Sequence, residues 1–165
     1  WIIDPIDGTK NFINQIPLYC VSIAIFYKGD PIISGVGIPW NENCIITAHK
    51  DKGIKSNFHR KRSDSKKSKP AAGLLSFAPS HFTIGNIVKK NFFSNSGELR
   101  NLGSTAAELA LVANGNAQFA ISGYAFTWDF AASWLLINES RKKIYFGDMN
   151  ENKWVEIDKE ITIIY

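Results

Sequence analysis

Three runs of β-branched and aromatic residues, joined by short turns, constrain the fold more than any other feature of the chain. They are "LYCVSIAIFY" at residues 18–27, followed by "IISGVGI" and "CIITAH". The linking segments "KGDP" and "PWNEN" supply the Gly, Pro, Asp and Asn that turns require. Connections this short join antiparallel neighbours, so the first third of the chain predicts an antiparallel meander.

Helical patterns take over further along. In "LGSTAAELALVANG", Thr105 with Glu108 three residues later reads as a capping box, and Gly115 stands where a helix C-terminus favours a left-handed residue. "WDFAASWLLINES" reads as a largely buried helix opening near Asp129, and "SHFTIGNIVKKNFF" as an amphipathic helix with Phe82, Ile87, Val88 and Phe92 on one face. "GLLSFA" and "AQFAIS" read as strands, and the C-terminal stretch alternates strand-like runs with polar turns. Strands and helices interleave without an internal repeat or a linker, which predicts a layered α/β or α+β fold. With 165 residues, 45% of them hydrophobic, the chain has material for one core, and residues 1–165 read as a single domain.

Charge is unevenly distributed. Residues 50–69, "KDKGIKSNFHRKRSDSKKSK", hold nine of the 19 Lys and Arg but only two of the 15 Asp and Glu, so the net charge of +4 belongs to this run and the remainder is mildly acidic. Without interleaved aromatics the run reads as a solvated surface loop in preference to a nucleic-acid site. No apolar run approaches the length of a membrane span. Cys20 and Cys44 fall within apolar strands, as buried thiols of a cytoplasmic protein would. The only methionine is Met149, so the chain reads as N-terminally truncated.

The chemistry concentrates in "DPIDGT". Asp4 and Asp7 flank a proline-fixed turn, and together with the Ile6 carbonyl they offer the oxygen ligands that suit a hard cation such as Mg²⁺. If "KNFI" opens a helix, the Gly8 and Thr9 amides face an anion. Taken alone, the segment reads equally well as a plain turn with solvated aspartates. Elsewhere Asp129 supplies a third carboxylate, as a ligand or as a helix N-cap, and Gly103, Ser104 and Thr105 offer amides and two hydroxyls.

These segments carry a family resemblance. "WIIDPIDGTKNFINQIPLYCVSIAI" resembles the first signature of the inositol monophosphatase family and "TWDFAASWLLINE" its second, with "RNLGSTAAELALVANG" similar to the segment before the second. The resemblance implies an αβαβα sandwich, here lacking its N-terminal helices, which otherwise cover one face of the sheet. It further implies a Mg²⁺-dependent, lithium-sensitive phosphomonoesterase, often homodimeric, acting on inositol monophosphate or a related polyol phosphate. Asp4, Asp7, Asp129 and the Ile6 carbonyl then match metal ligands. Gly8 and Thr9 match phosphate-binding amides, Thr9 and Asp7 the catalytic pair beside the attacking water, and Gly103, Ser104 and Thr105 the segment along the substrate.

The chain departs from that pattern in three places. A metal-binding Glu of the family lies upstream of its first signature and is not within this chain. Ser122 stands where inositol-specific members carry a Glu, and Glu139 is followed by Ser140, Arg141 and Lys142 in place of Ala-Gly-Gly. Lys10 occurs in the bisphosphate nucleotidase relatives, which keeps a 3′(2′),5′-bisphosphate nucleotidase-like activity as an alternative. A non-catalytic binding module is the other.

Overall fold

In the computed structural model, which describes residues 1–58, 73–76, 99–123, 125–148 and 153–156, the three strand-like runs form the middle of one antiparallel sheet. β2 (Cys20–Tyr27), β3 (Asp30–Ile38) and β4 (Cys44–His49) pair in chain order, flanked by β1 (Ile2–Asp7) and β5 (Ile54–Ser56). Both flanking strands correct the sequence reading. "DPID", read as a turn, belongs to an edge strand, where Pro5 is tolerated because one side of the ladder needs no donor. Part of the basic run, read as a loop, pairs with β4 through Ile54, Lys55 and Ser56.

Two buried helices cover one face of this sheet. α1 (Thr9–Ile13) is a single short turn after β1, whereas α2 (Thr105–Ala113) and α3 (Thr127–Glu139) pack on each other and on the meander. Every residue of α2 except Leu109 is buried, the pattern of a helix enclosed on all sides. Ala106, Ala107 and Ala110 of α2 and Ala131 and Ala132 of α3 join one core with Cys20, Ala24, Val36, Ile38 and Ile46 from the sheet. Small side chains let the helices approach closely, and the Ser133 hydroxyl reaches the Ala106 carbonyl at 3.4 Å.

The helix ends differ in how well sequence foresaw them. α2 stops as expected: Gly115 donates to the Val112 carbonyl at 2.9 Å and Asn116 to that of Leu111 at 2.8 Å. Its start is one residue earlier than the capping-box reading. Ser104 is the N-cap, and the Glu108 carboxylate accepts the Leu102 N–H at 2.8 Å. Asp129 is the third residue of α3, not its cap; the cap is Phe126, whose N–H donates to Asp129 Oδ2 at 2.7 Å.

A smaller parallel sheet places β6 (Gly73–Ser76) between β7 (Leu99–Arg100) and β8 (Phe119–Ser122), and β9 (Tyr145–Asp148) pairs antiparallel with β10 (Lys153–Glu156). The helix expected over residues 80–93 and the basic run beyond residue 58 lie outside the described residues. Among the described residues, no helix is long and apolar enough to cross a membrane.

Candidate metal centre

Asp4 and Asp7 are three residues apart, and in a regular strand they would point to opposite faces. The β1–β2 pairing prevents this. Asp4 lies opposite Ser22 and Asp7 opposite Cys20, so three steps along β1 match two along β2, and the extra residue forms a bulge. Both aspartates consequently turn inward and are buried. Asp129, brought in by the first turn of α3, completes a group whose ligand oxygens all lie within 4.8 Å of one another.

Each carboxylate is oriented by the fold through one oxygen. Asp4 Oδ1 accepts the Ile6 N–H at 3.1 Å, and Asp129 Oδ2 accepts that of Phe126. Asp7 Oδ2 accepts the Ser104 hydroxyl at 2.6 Å and the Ala106 N–H at 2.7 Å, placing a carboxylate at the positive end of α2. Among the described residues the second oxygen of each carboxylate has no hydrogen bond and is left for a ligand. Burial, opposed by the Ile6 N–H, raises the Asp4 carboxyl above its ordinary range, and the Asp7 charge adds to the rise. Burial likewise pushes Asp129 up to about 6, again helped by Asp7 and Asp4. Three crowded, partly desolvated carboxylates with free oxygens form a set that a cation would relieve.

The turn after β1 is built around close backbone approach. Gly8 has φ 84°, and a Cβ there would stand 2.9 Å from the Leu18 carbonyl oxygen and 3.2 Å from Ser104 Cβ. Gly103 has φ 72°, with Asn11 Nδ2 at 2.9 Å from the equivalent position. The two glycines let the Gly8–Thr9 turn and the start of α2 meet. The Thr9 hydroxyl donates to the Ile6 carbonyl at 2.9 Å, joining two residues expected to share one site.

Ser104 is 1% exposed and its hydroxyl is committed to Asp7; Thr105 is also buried. The Ser104 side chain therefore backs the Asp7 carboxylate and does not present the open hydroxyl that the sequence alone offers. Cys20 and Cys44 are free and buried, as expected. Cys20 Sγ packs 3.8 Å from Asp7 Oδ2, and burial drives its thiol far above the ordinary range. Sequence reasoning missed Asn11. Its amide donates to the Leu18 carbonyl at 2.6 Å and to the Leu102 carbonyl at 2.7 Å, tying α1 to the turn before α2. The only local signal was a polar residue within "KNFI", and its partners are distant in sequence.

Comparison with known proteins places this geometry in context. The model of the inositol monophosphatase family matches residues 1–141. Nus factor SuhB of Escherichia coli is 35% identical over 145 residues, covering 85% of this chain and 54% of that protein. The fructose-1,6-bisphosphatase/inositol-1-monophosphatase of Aquifex aeolicus is 30% identical over 144 residues, with the same shares covered. Among solved structures, a Thermotoga maritima IMPase superposes with a TM-score of 0.71 at 28% identity, covering 87% of this chain and 55% of that one. The chain thus spans about half the length of the relatives it matches.

Proposed function

This chain belongs to the inositol monophosphatase family, and on that premise we propose that its three-aspartate centre serves the metal-dependent hydrolysis of a small phosphomonoester, with inositol monophosphate or a related polyol phosphate as the first candidate substrate. The observation that carries the reading is the convergence of Asp4, Asp7 and Asp129 with ligand oxygens within 4.8 Å. Mg²⁺ suits a donor set made only of hard oxygens.

Asp4, Asp7, Asp129 and the Ile6 carbonyl would hold the metal. When bound, it supplies charge neutralisation for the phosphoryl group and a lowered pKa for an attacking water. Ser104 and Ala106 keep Asp7 Oδ2 turned away, so that its other oxygen faces the ligand. Thr9, whose hydroxyl proton is directed to the Ile6 carbonyl, keeps lone pairs with which to orient a water. The Gly8 and Thr9 amides face the phosphate, and Gly103 and Thr105 border the substrate. Free buried thiols suit a reducing cytoplasm.

Phosphate release from myo-inositol 1-phosphate by the full-length protein, with Mg²⁺ and with or without lithium, tests this reading. Turnover that lithium suppresses is expected, and inactivity across a panel of small phosphomonoesters would overturn it. Asp7→Asn is expected to abolish turnover while keeping the circular dichroism of the fold; retained turnover would remove Asp7 from the site.

The name Nus factor carried by the Escherichia coli relative supports a second reading, a binding module that acts through its basic run. Salt-dependent RNA affinity lost on neutralising residues 50–69 would favour it, and affinity unchanged by that neutralisation would exclude the run.

A further inference from the structure

We infer that Asn11 and Glu108 act together as positioning residues: by holding Leu102 from its two sides, they set where the substrate-bordering segment 103–105 stands relative to the phosphate-facing turn at residues 8–9. The inference rests on the phosphatase reading above and adds two side chains that act through others.

Leu102 lies between β7 and α2, in neither a strand nor a helix, and side chains take up both of its backbone groups. The Asn11 amide donates to its carbonyl at 2.7 Å, and the Glu108 carboxylate accepts its N–H at 2.8 Å. Glu108 also attracts the neighbouring Gly103 N–H, which donates to Asn101 Oδ1 at 2.9 Å. The second amide proton of Asn11 goes to the Leu18 carbonyl at 2.6 Å, so both of its donors are committed to main chain. Its amide nitrogen also packs on Gly103, 2.9 Å from where a Cβ would stand.

Each side chain stands where it can pass this grip on. Asn11 belongs to α1 and follows Thr9 by two residues; Glu108 belongs to α2 and follows Ser104 by four, about one helical turn. Ser104 donates to Asp7 Oδ2, so a shift of residues 102 and 103 reaches both the segment along the substrate and a carboxylate of the metal centre. Glu108 is otherwise out of place. Beyond Thr105 the rest of α2 is alanine, leucine and valine, and a carboxylate that is 1% exposed is costly to bury. Its hold on the main chain of the 102–103 segment accounts for an acid at that position. Misplacing a group that orients substrate by about 1 Å lowers the rate about a hundredfold, so loss of either hand should reach turnover.

Steady-state kinetics of the full-length protein on myo-inositol 1-phosphate, with saturating Mg²⁺, test the pair. Asn11→Ala and Glu108→Leu are each expected to lower kcat/KM about a hundredfold, chiefly through kcat, because orientation is lost while phosphate binding is kept. Glu108→Gln, which keeps an acceptor for Leu102, is expected to retain most of the wild-type kcat. Because both side chains hold one residue, the double variant should lose about as much as either single one, not the product of the two losses. Ile46→Val, which thins the core without touching Leu102, should keep the wild-type kcat. Where circular dichroism shows a single variant unfolded, Asn11→Ser, which keeps one donor, replaces it with a smaller loss of the same kind. Unchanged turnover in Asn11→Ala and Glu108→Leu, multiplying losses in the double variant, or Glu108→Gln falling as far as Glu108→Leu would overturn the positioning role. So would an equal loss in Ile46→Val. If the wild type hydrolyses neither this compound nor a panel of small phosphomonoesters, the phosphatase reading itself fails, and the positioning role fails with it.

Discussion

The two faces of the five-stranded sheet are made of similar residues and meet different surroundings. Facing α2 and α3 are Cys20, Ala24, Val36, Ile38, Cys44 and Ile46, each at most 1% exposed. On the opposite face Ile3, Val21, Ile23, Ile33 and Ile45 are 36% to 52% exposed. An antiparallel sheet with one wet face ordinarily alternates apolar with polar residues, whereas these strands are apolar on both sides, the pattern of a sheet meant to be covered twice. The chain also spans only about half the length of its relatives. The covered face holds the core and turns both strand aspartates inward; the open face carries apolar surface and no part of the centre.

The largest effect expected belongs to the covered face. Ile46 is fully buried, and Ile46→Ala should destabilise the chain by about 2–5 kcal/mol, through lost burial and the cavity left behind. Urea unfolding followed by circular dichroism measures it. A loss below about 1 kcal/mol would mean that this face is loosely packed and the contrast between the faces superficial.

A pH effect should come next, also from the covered side. Burial, opposed by the Leu102 and Gly103 N–H groups, pushes the Glu108 carboxyl from 4.5 up to about 7. Because the folded state then holds a proton that the unfolded chain has released, this group's contribution to stability is complete below pH 4.5 and declines until about pH 7. Glu108→Gln retains an acceptor for Leu102 and removes the titration. It is expected to gain on the wild type as pH rises from 5 to 8, in paired urea melts. Parallel pH profiles would show that Glu108 is charged throughout.

Asn11→Ala should have a smaller effect, about 1–2 kcal/mol, since two backbone carbonyls lose their donor in a partly buried setting. It should also loosen the meeting of α1 with the turn before α2, so a raised Mg²⁺ requirement for thermal stabilisation is expected. An unchanged Mg²⁺ titration would confine Asn11 to a purely structural role.

What the sequence disclosed follows the same division between local and distant causes. The meander, the Gly115 stop of α2 and the burial of α3 are written in nearest-neighbour chemistry and were legible. The three aspartates were also legible as residue types, and the family resemblance grouped them in one site, but the local cause of their convergence was not legible. It depends on a bulge in β1 that exists only because Asp4 and Asp7 pair with Ser22 and Cys20. Likewise Ser104 looks like an open hydroxyl until Asp7, 97 residues earlier, accepts its proton. Turn residues such as Pro5 and Gly8 led to "DPID" being read as a turn, because an edge strand ending in a left-handed glycine uses the same amino acids.

The smallest effect expected is on the open face, and it discriminates most sharply. Ile45 adjoins Ile46 in β4 yet is 52% exposed, so Ile45→Thr in residues 1–165 should change stability by no more than about 0.5 kcal/mol. Threonine keeps the β-branch that a strand favours, so only the apolar contact is altered. The same substitution in a longer version carrying the upstream sequence separates two physical states of this face. A cost rising above about 1 kcal/mol there would show that a further layer packs on Ile45 and converts the open face into a second core. A cost equally small in both would show that the face meets water even in the longer protein, and that its isoleucines are surface residues of an asymmetric sheet.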